Sequence, residues 1–155
     1  MLIGLISDTH GQLRPQVFER LEGVDRIFHA GDIGSLDLLT ELEAIAPVQA
    51  VWGNTDGFDV RARVPEKVEV EIEGWRVVVV HGHQLGSPRP QTLLEAYPDA
   101  GMIVYGHTHR AAVDRVGGKL VVNPGAAGPT RFGLAPSVAL MTVEPGVVDV
   151  RIVEL

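Results

Sequence analysis

Leu2-Ile3-Gly4-Leu5-Ile6-Ser7-Asp8-Thr9-His10 is an apolar run that breaks abruptly into polar residues. The run suits a buried strand that stops at Ser7-Asp8. The same event recurs twice. Asp25–His29 reads as a second strand and ends in Ala30-Gly31-Asp32; Val48–Trp52 reads as a third and ends in Gly53-Asn54. Helical signals separate them. Pro15 opens one helix through Leu21, proline being tolerated in a first turn. Ser35 is a good N-cap for another, in which Leu36, Leu38, Leu39, Leu42 and Ile45 keep helical spacing up to Pro47. The β-α-β-α-β order predicts parallel strands joined by crossover helices.

The second half changes character. Val68, Val70 and Ile72 alternate with Glu69, Glu71 and Glu73, a strand with one wet face whose glutamates resist edge-to-edge pairing. Glu73-Gly74 turns the chain into Arg76–Val80, which ends at His81. Pro90 begins a helix to about Tyr97, and Met102–Tyr105 is a strand ending at Gly106-His107. Ala111–Val116 and Lys119–Asn123 pair across Gly117-Gly118, a hairpin signal. Val138–Val143 and Val147–Val153 pair across Glu144-Pro145-Gly146. The expectation is an α/β chain, a parallel half then a mostly antiparallel half, as two packed sheets with helices outside.

Composition bounds the partners. The 155 residues suit one domain, 1–155. Eighteen Gly and ten Pro imply many tight connections. The net charge of −7 argues against a broad nucleic-acid or anionic-membrane surface. The absence of Cys excludes disulfides, thiolate metal sites and Cys nucleophiles. No apolar stretch approaches the ~20 residues of a membrane span, and the N-terminus lacks a signal peptide's basic region. A soluble cytoplasmic protein is expected, with self-association left open.

Asp8, His10, Asp32, Asn54, His81, His107 and His109 each fall at or just after the C-terminal end of an expected strand. In open α/β sheets ligands bind at that edge. Seven oxygen and nitrogen donors are too many for one ion with an open position, but they suit two. Asp8/His10 and His107/His109 are i, i+2 pairs, and in extended backbone each pair shares one face and reaches into one site. One carboxylate must bridge if two ions are to sit ~3.5–4 Å apart; Asp32, on the middle of the first three strand ends, is the candidate. Histidine with carboxylate points to Mn, Fe, Co, Ni or Zn rather than Mg alone.

Asp8-Thr9-His10, Gly31-Asp32, Gly53-Asn54-Thr55-Asp56, His81-Gly82-His83 and Gly106-His107-Thr108-His109 occur in order. This series resembles the calcineurin-like metallophosphoesterases over nearly the whole chain. The short length and Asn123-Pro124-Gly125 are similar to the small bacterial and archaeal phosphodiesterase branch. The resemblance implies a four-layer α/β/β/α sandwich with two mixed β-sheets and a dinuclear centre, manganese being favoured. By motif, one metal would take Asp8, His10, Asp32 and His109; the other would take Asp32, Asn54, His81 and His107. Asp32, Asn54 and His81 would carry the catalytic centre. Many relatives have Gly-Asn-His-Asp/Glu, where the His assists the leaving group; here that position is Thr55. Asp56 either orders the site or forms a turn before Gly57. His83 either faces the cleft or is structural. His29 is expected to play a structural or supporting part inside its strand. Arg131, after the Gly125–Thr130 loop, either clamps a phosphate or is a solvated loop residue.

The function expected is hydrolysis of a small phosphodiester by a hydroxide held between two metals, which also neutralise developing charge. The chain has no room for a large capping domain, so the cleft should be open. A phosphomonoesterase or a nuclease of the same chemistry is an alternative, although a nuclease would need a Lys/Arg track and stacking aromatics. A scaffold resembling a retromer subunit is another, and there lost ligands would be expected.

Overall fold

The computed structural model describes residues 1–155. The first half runs β1 (Leu2–Ile6), α1 (Pro15–Arg20), β2 (Arg26–His29), α2 (Leu36–Glu43), β3 (Val48–Ala50) and α3 (Phe58–Arg63). It continues through β4 (Lys67–Ile72), β5 (Trp75–Val80), α4 (Pro90–Ala96) and β6 (Met102–Val104). Two hairpins follow, β7 (Ala112–Val116) with β8 (Lys119–Asn123), and β9 (Ser137–Glu144) with β10 (Val147–Glu154).

The strands form two mixed sheets, ordered β10-β9-β1-β2-β3 and β4-β5-β6-β8-β7. β1, β2 and β3 are parallel, as the crossover helices require. The halves of the chain do not correspond to the sheets, however. The last hairpin returns to the first sheet, where β9 pairs antiparallel with β1. The second sheet is antiparallel only at its edges, since β5, β6 and β8 are mutually parallel. The physical reason lies in β1. Its residues 3–6 are fully covered, so it must have a strand on both sides, and only a distant segment can supply the second.

Three apolar clusters define four layers. Between the sheets lie Leu5, Phe28, Val77, Val104 and Met141 with their neighbours. α1, α2 and Val60 of α3 cover the outer face of the first sheet through Val17, Leu21, Leu38 and Leu42. α4 covers the second sheet through Leu93, packed with Val78, Ile103 and Val121. The layers are therefore α/β/β/α. Ser35 caps α2 as expected, accepting the Leu38 N–H at 3.4 Å. α3 carries no periodic signal in the sequence, because its six residues bury only Val60. β4 is an edge strand, and its exposed Glu69 and Glu71 sit where edge protection is needed.

The sheets face each other so that the C-terminal ends of β1, β2, β3, β5 and β6 deliver loops to one rim. Glycine is required where those loops interlock. A Cβ on Gly106 would lie 2.1 Å from Ser7 Oγ, and one on Gly53 would lie 2.2 Å from Asp32 Oδ1. No helix is long and apolar enough to cross a membrane.

Candidate metal centre

All seven expected donors reach this rim, but not by the extended geometry the i, i+2 spacing suggested. Asp8, His10, Asp32, His107 and His109 all have left-handed backbone, with φ of 53°, 46°, 54°, 72° and 61°. Each strand ends one to five residues before its donors, and the chain coils sharply instead of continuing. Non-glycine residues adopt this region only under constraint, and such residues gather at functional sites. The consequence differs for the two pairs. Asp8 and His10 stay together, with His10 Nε2 3.9 Å from Asp8 Oδ1. His107 and His109 separate: His109 lies beside His10, and His107 turns edge-on to His81.

Two groups of potential ligand atoms result, Asp8/His10/His109 and Asp8/Asp32/His81. Asp8 Oδ1 is 3.4 Å from His109 Nε2 and 3.9 Å from His81 Nε2. Asp32 Oδ2 is 3.2 Å from His81 Nε2 and 3.8 Å from His10 Nε2. Both carboxylates thus lie between the two halves of the site. Asn54 joins through Oδ1, 3.1 Å from His81 Nε2. His107 stands slightly apart, its ring 5.2 Å from that of His81.

The donor set fits cations. Asp8 Oδ2 accepts from the Ser7 hydroxyl and the His107 N–H, yet Asp8 Oδ1 is buried with no hydrogen-bond partner. A carboxylate oxygen so placed, faced by three imidazole nitrogens, lacks only a positive centre. His81 is oriented for the same purpose. Its Nδ1–H donates to the Ala30 carbonyl at 2.8 Å, which turns Nε2 into the site.

The charges agree. Burial alone would raise Asp32, but the hydrogen bond and charge of His81, with the Thr55 N–H, hold it well below the usual carboxylate range. Burial pulls His81 down, yet the hydrogen bond to Asp32 and the charges of Asp8 and Asp32 carry it above its ordinary value. Both effects favour a proton at His81 Nε2, where the Asn54 Oδ1 and Asp32 Oδ2 atoms lie 3.1 and 3.2 Å away. Burial lowers His10, His107 and His83, against the pull of the carboxylates.

The surrounding residues resolve several open roles. Asp56 is no mere turn residue. Its carboxylate accepts the N–H groups of Gly53 (2.8 Å), Ile33 (3.2 Å) and Gly34 (3.0 Å), tying the Asp32 loop to the Asn54 loop. Arg61 steadies the same loop, donating to the Asp56 and Asn54 carbonyls while stacking on Trp52 at 4.2 Å. Sequence reasoning missed Arg61, which sits in the short α3. Thr55 is exposed and serves through its backbone, donating to Asp32 Oδ1 at 2.9 Å. His83 is half-buried beside Trp52 and His81, with ring centroids 5.6 and 5.4 Å away, and its buried Nδ1 has no partner. His29 is buried inside β2 and bridges two site loops through Thr9 and Gly31.

The fold and the rim together define a four-layer sandwich whose strand ends gather a histidine and carboxylate centre. Residues 1–146 match the calcineurin-like phosphoesterase superfamily domain, and the chain belongs to that superfamily. The family implies divalent metal ions. Over 160 residues the chain is 34% identical to a probable metallophosphoesterase of Methanothermobacter thermautotrophicus, covering 99% of this chain and 92% of that protein. It is 29% identical over 164 residues to phosphodiesterase MJ0936 of Methanocaldococcus jannaschii, covering 93% and 94%. Among solved structures it is similar to wild-type Vps29 of Entamoeba histolytica complexed with Zn²⁺, at 25% identity and a TM-score of 0.79, with 99% of both chains covered.

Proposed function

We propose that this protein is a phosphodiesterase with a dinuclear metal centre. The observation that carries the reading is Asp8 Oδ1, buried and unpartnered, with the Nε2 atoms of His10, His81 and His109 within 3.9 Å. Asp8, His10, Asp32 and His109 would hold one ion, and Asp32, Asn54, His81 and His107 the other. Asp8 Oδ1 and Asp32 Oδ2 each face a histidine of both halves, and Asp32 is the proposed bridge on the family's motif, its Oδ1 being fixed by the Thr55 N–H. When bound, two divalent ions supply a hydroxide nucleophile at neutral pH and an electrophilic clamp for phosphoryl oxygens. The chain supplies the rest. Asp56 and Arg61 hold the loops in register, and the Ala30 carbonyl fixes the His81 tautomer. A diester is favoured because of the similarity to MJ0936. Manganese is the proposed metal, with Ni, Fe, Co or Zn also matching the donors.

The test is elemental analysis of protein reconstituted with Mn²⁺, paired with hydrolysis of a nitrophenyl diester, a nitrophenyl monoester and single-stranded DNA. About two ions per chain and preference for the diester are expected. Trace metal and no hydrolysis would overturn the reading; monoester or DNA preference would select one of the alternatives. The likeness to Vps29 favours a second reading, a protein-binding scaffold. The same assay separates the two: hydrolysis selects the enzyme, and bound metal without hydrolysis selects the scaffold.

A further inference from the structure

The segment Arg131–Leu134 forms a tight turn at the rim of the site. The Leu134 N–H donates to the Arg131 carbonyl at 3.0 Å, and Phe132 and Gly133 have φ of 58° and 66°. That is a type I′ turn, whose first central position favours Asn, Asp or Gly. Phenylalanine there is strained, and a burial gain would be the ordinary compensation. Phe132 has little, being 76% exposed. Its ring instead stands edge-on to His109, 6.1 Å between centroids.

The turn is held in place from below. The Gly128 N–H donates to the Asp8 carbonyl at 3.3 Å, and the Arg14 guanidinium donates twice to the Gly128 carbonyl, at 3.2 and 3.0 Å. The base of the loop is therefore pinned to the residue that begins the metal centre, and its tip carries two exposed side chains. Arg131, which opens the turn one residue before Phe132, is exposed and takes part in none of the ion pairs of the structure. Beside the turn, a groove of about 470 Å³ leads away from His109 between Arg110, Leu134, Ala135 and Ile152.

We propose that this turn is a substrate-binding element selecting phosphodiesters that carry a planar aromatic arm. Phe132 stacks on the ring of that arm, and Arg131 offers its guanidinium fork to the non-bridging phosphoryl oxygens. The aromatic class covers nucleosides and simple aryl groups alike, since both present a flat π face. The inference rests on the phosphodiesterase reading above and adds a substrate class to it.

Calorimetric titration of the manganese-loaded protein with phenylphosphonate and methylphosphonate tests it. These ligands share the phosphoryl group and differ in the ring. The protein should bind the phenyl compound roughly tenfold tighter, the scale of one aromatic stacking contact. Phe132→Gly, which suits the turn and relieves its strain, should bring that ratio below about threefold. Arg131→Gln should weaken both ligands and keep the ratio. A wild-type ratio near one, or a ratio unchanged by Phe132→Gly, overturns the proposal. Hydrolysis of bis(p-nitrophenyl) phosphate by the same preparation separates the two readings. Hydrolysis with a ratio near one removes only the role of the turn. No hydrolysis and no phosphonate binding removes the phosphodiesterase reading, and this inference with it.

Discussion

His29 should make the metal-free protein measurably acid-sensitive. Its ring is completely buried, and burial pushes it down to about 4 from an ordinary 6.5. The hydrogen bonds show why the neutral form is required. The Thr9 hydroxyl donates to the Ile33 carbonyl, so its oxygen accepts from His29 Nε2–H. The Gly31 N–H donates to His29 Nδ1, which must therefore stay unprotonated. Between pH 6.5 and 4 the unfolded chain binds a proton at His29 that the folded chain refuses. This contribution is complete above pH 6.5 and is lost as pH falls. For these two values the loss between pH 7 and pH 5 is about 2 kcal/mol. For a chain of this size that corresponds to a Tm fall of about 4–8 °C from His29 alone. The assay is thermal or urea unfolding of chelator-treated protein at both pH values, for the wild type and His29→Gln. The variant should be less stable at pH 7, having lost the Gly31 acceptor, but its stability should fall less on acidification. His10, His83 and His107 are also lowered and act in the same direction, and His81 opposes them; all four remain in the variant, so the difference isolates His29. Equal losses in the two proteins would show that His29 is not the group responsible.

Asp32→Asn should lose activity and weaken both metals, whereas His109→Ala should weaken chiefly one; metal content after dialysis distinguishes them, and equal mild effects would count against the bridge. Metal binding should release a proton from His81, so Mn²⁺ affinity should rise with pH through its elevated pKa; titration calorimetry in buffers of different ionisation enthalpy reads this directly. Thr55 offers no proton near neutral pH, so kcat/KM should fall steeply as leaving groups become less acidic, by about 10²–10⁴ between nitrophenyl and alkyl arms. Thr55→His should recover part of that loss for poor leaving groups only, since the Thr55 side chain is exposed and the N–H at this position would still donate to Asp32 Oδ1. A flat leaving-group series with chemistry rate-limiting would mean that another acid acts, His83 being the nearest candidate.

The strands were legible because burial writes itself into composition. β1 and β5 are long apolar runs, and β4 alternates because one face is wet. The site was legible for a related reason: strand ends, glycines and metal-type donors coincide seven times. What stayed hidden depends on distance along the chain. Nothing near Val138 announces that β9 will lie against Leu2–Leu5. Nor does local sequence show that Arg14 will reach Gly128, or that Asp56 will gather N–H groups from residues more than twenty positions away. The spacing of His107 and His109 misled because extended backbone was assumed where the chain coils left-handed. That conformation is imposed by the partners of the loop, such as the Asp8 carboxylate on the His107 N–H.

The five left-handed donors also set a limit on how stable this protein can become. Each such residue costs roughly 1 kcal/mol relative to glycine in the same conformation. Five of them approach the lower end of the ~5–15 kcal/mol that separates folded from unfolded chains. Selection for stability alone would replace His107 or His109 with glycine, and selection for activity would refuse the exchange. A His107→Gly variant that melts higher but no longer retains its metal would display that conflict at a single position. Any lineage that ceased to need the metal would be free to take the exchange, and its heat tolerance would rise as its chemistry disappeared.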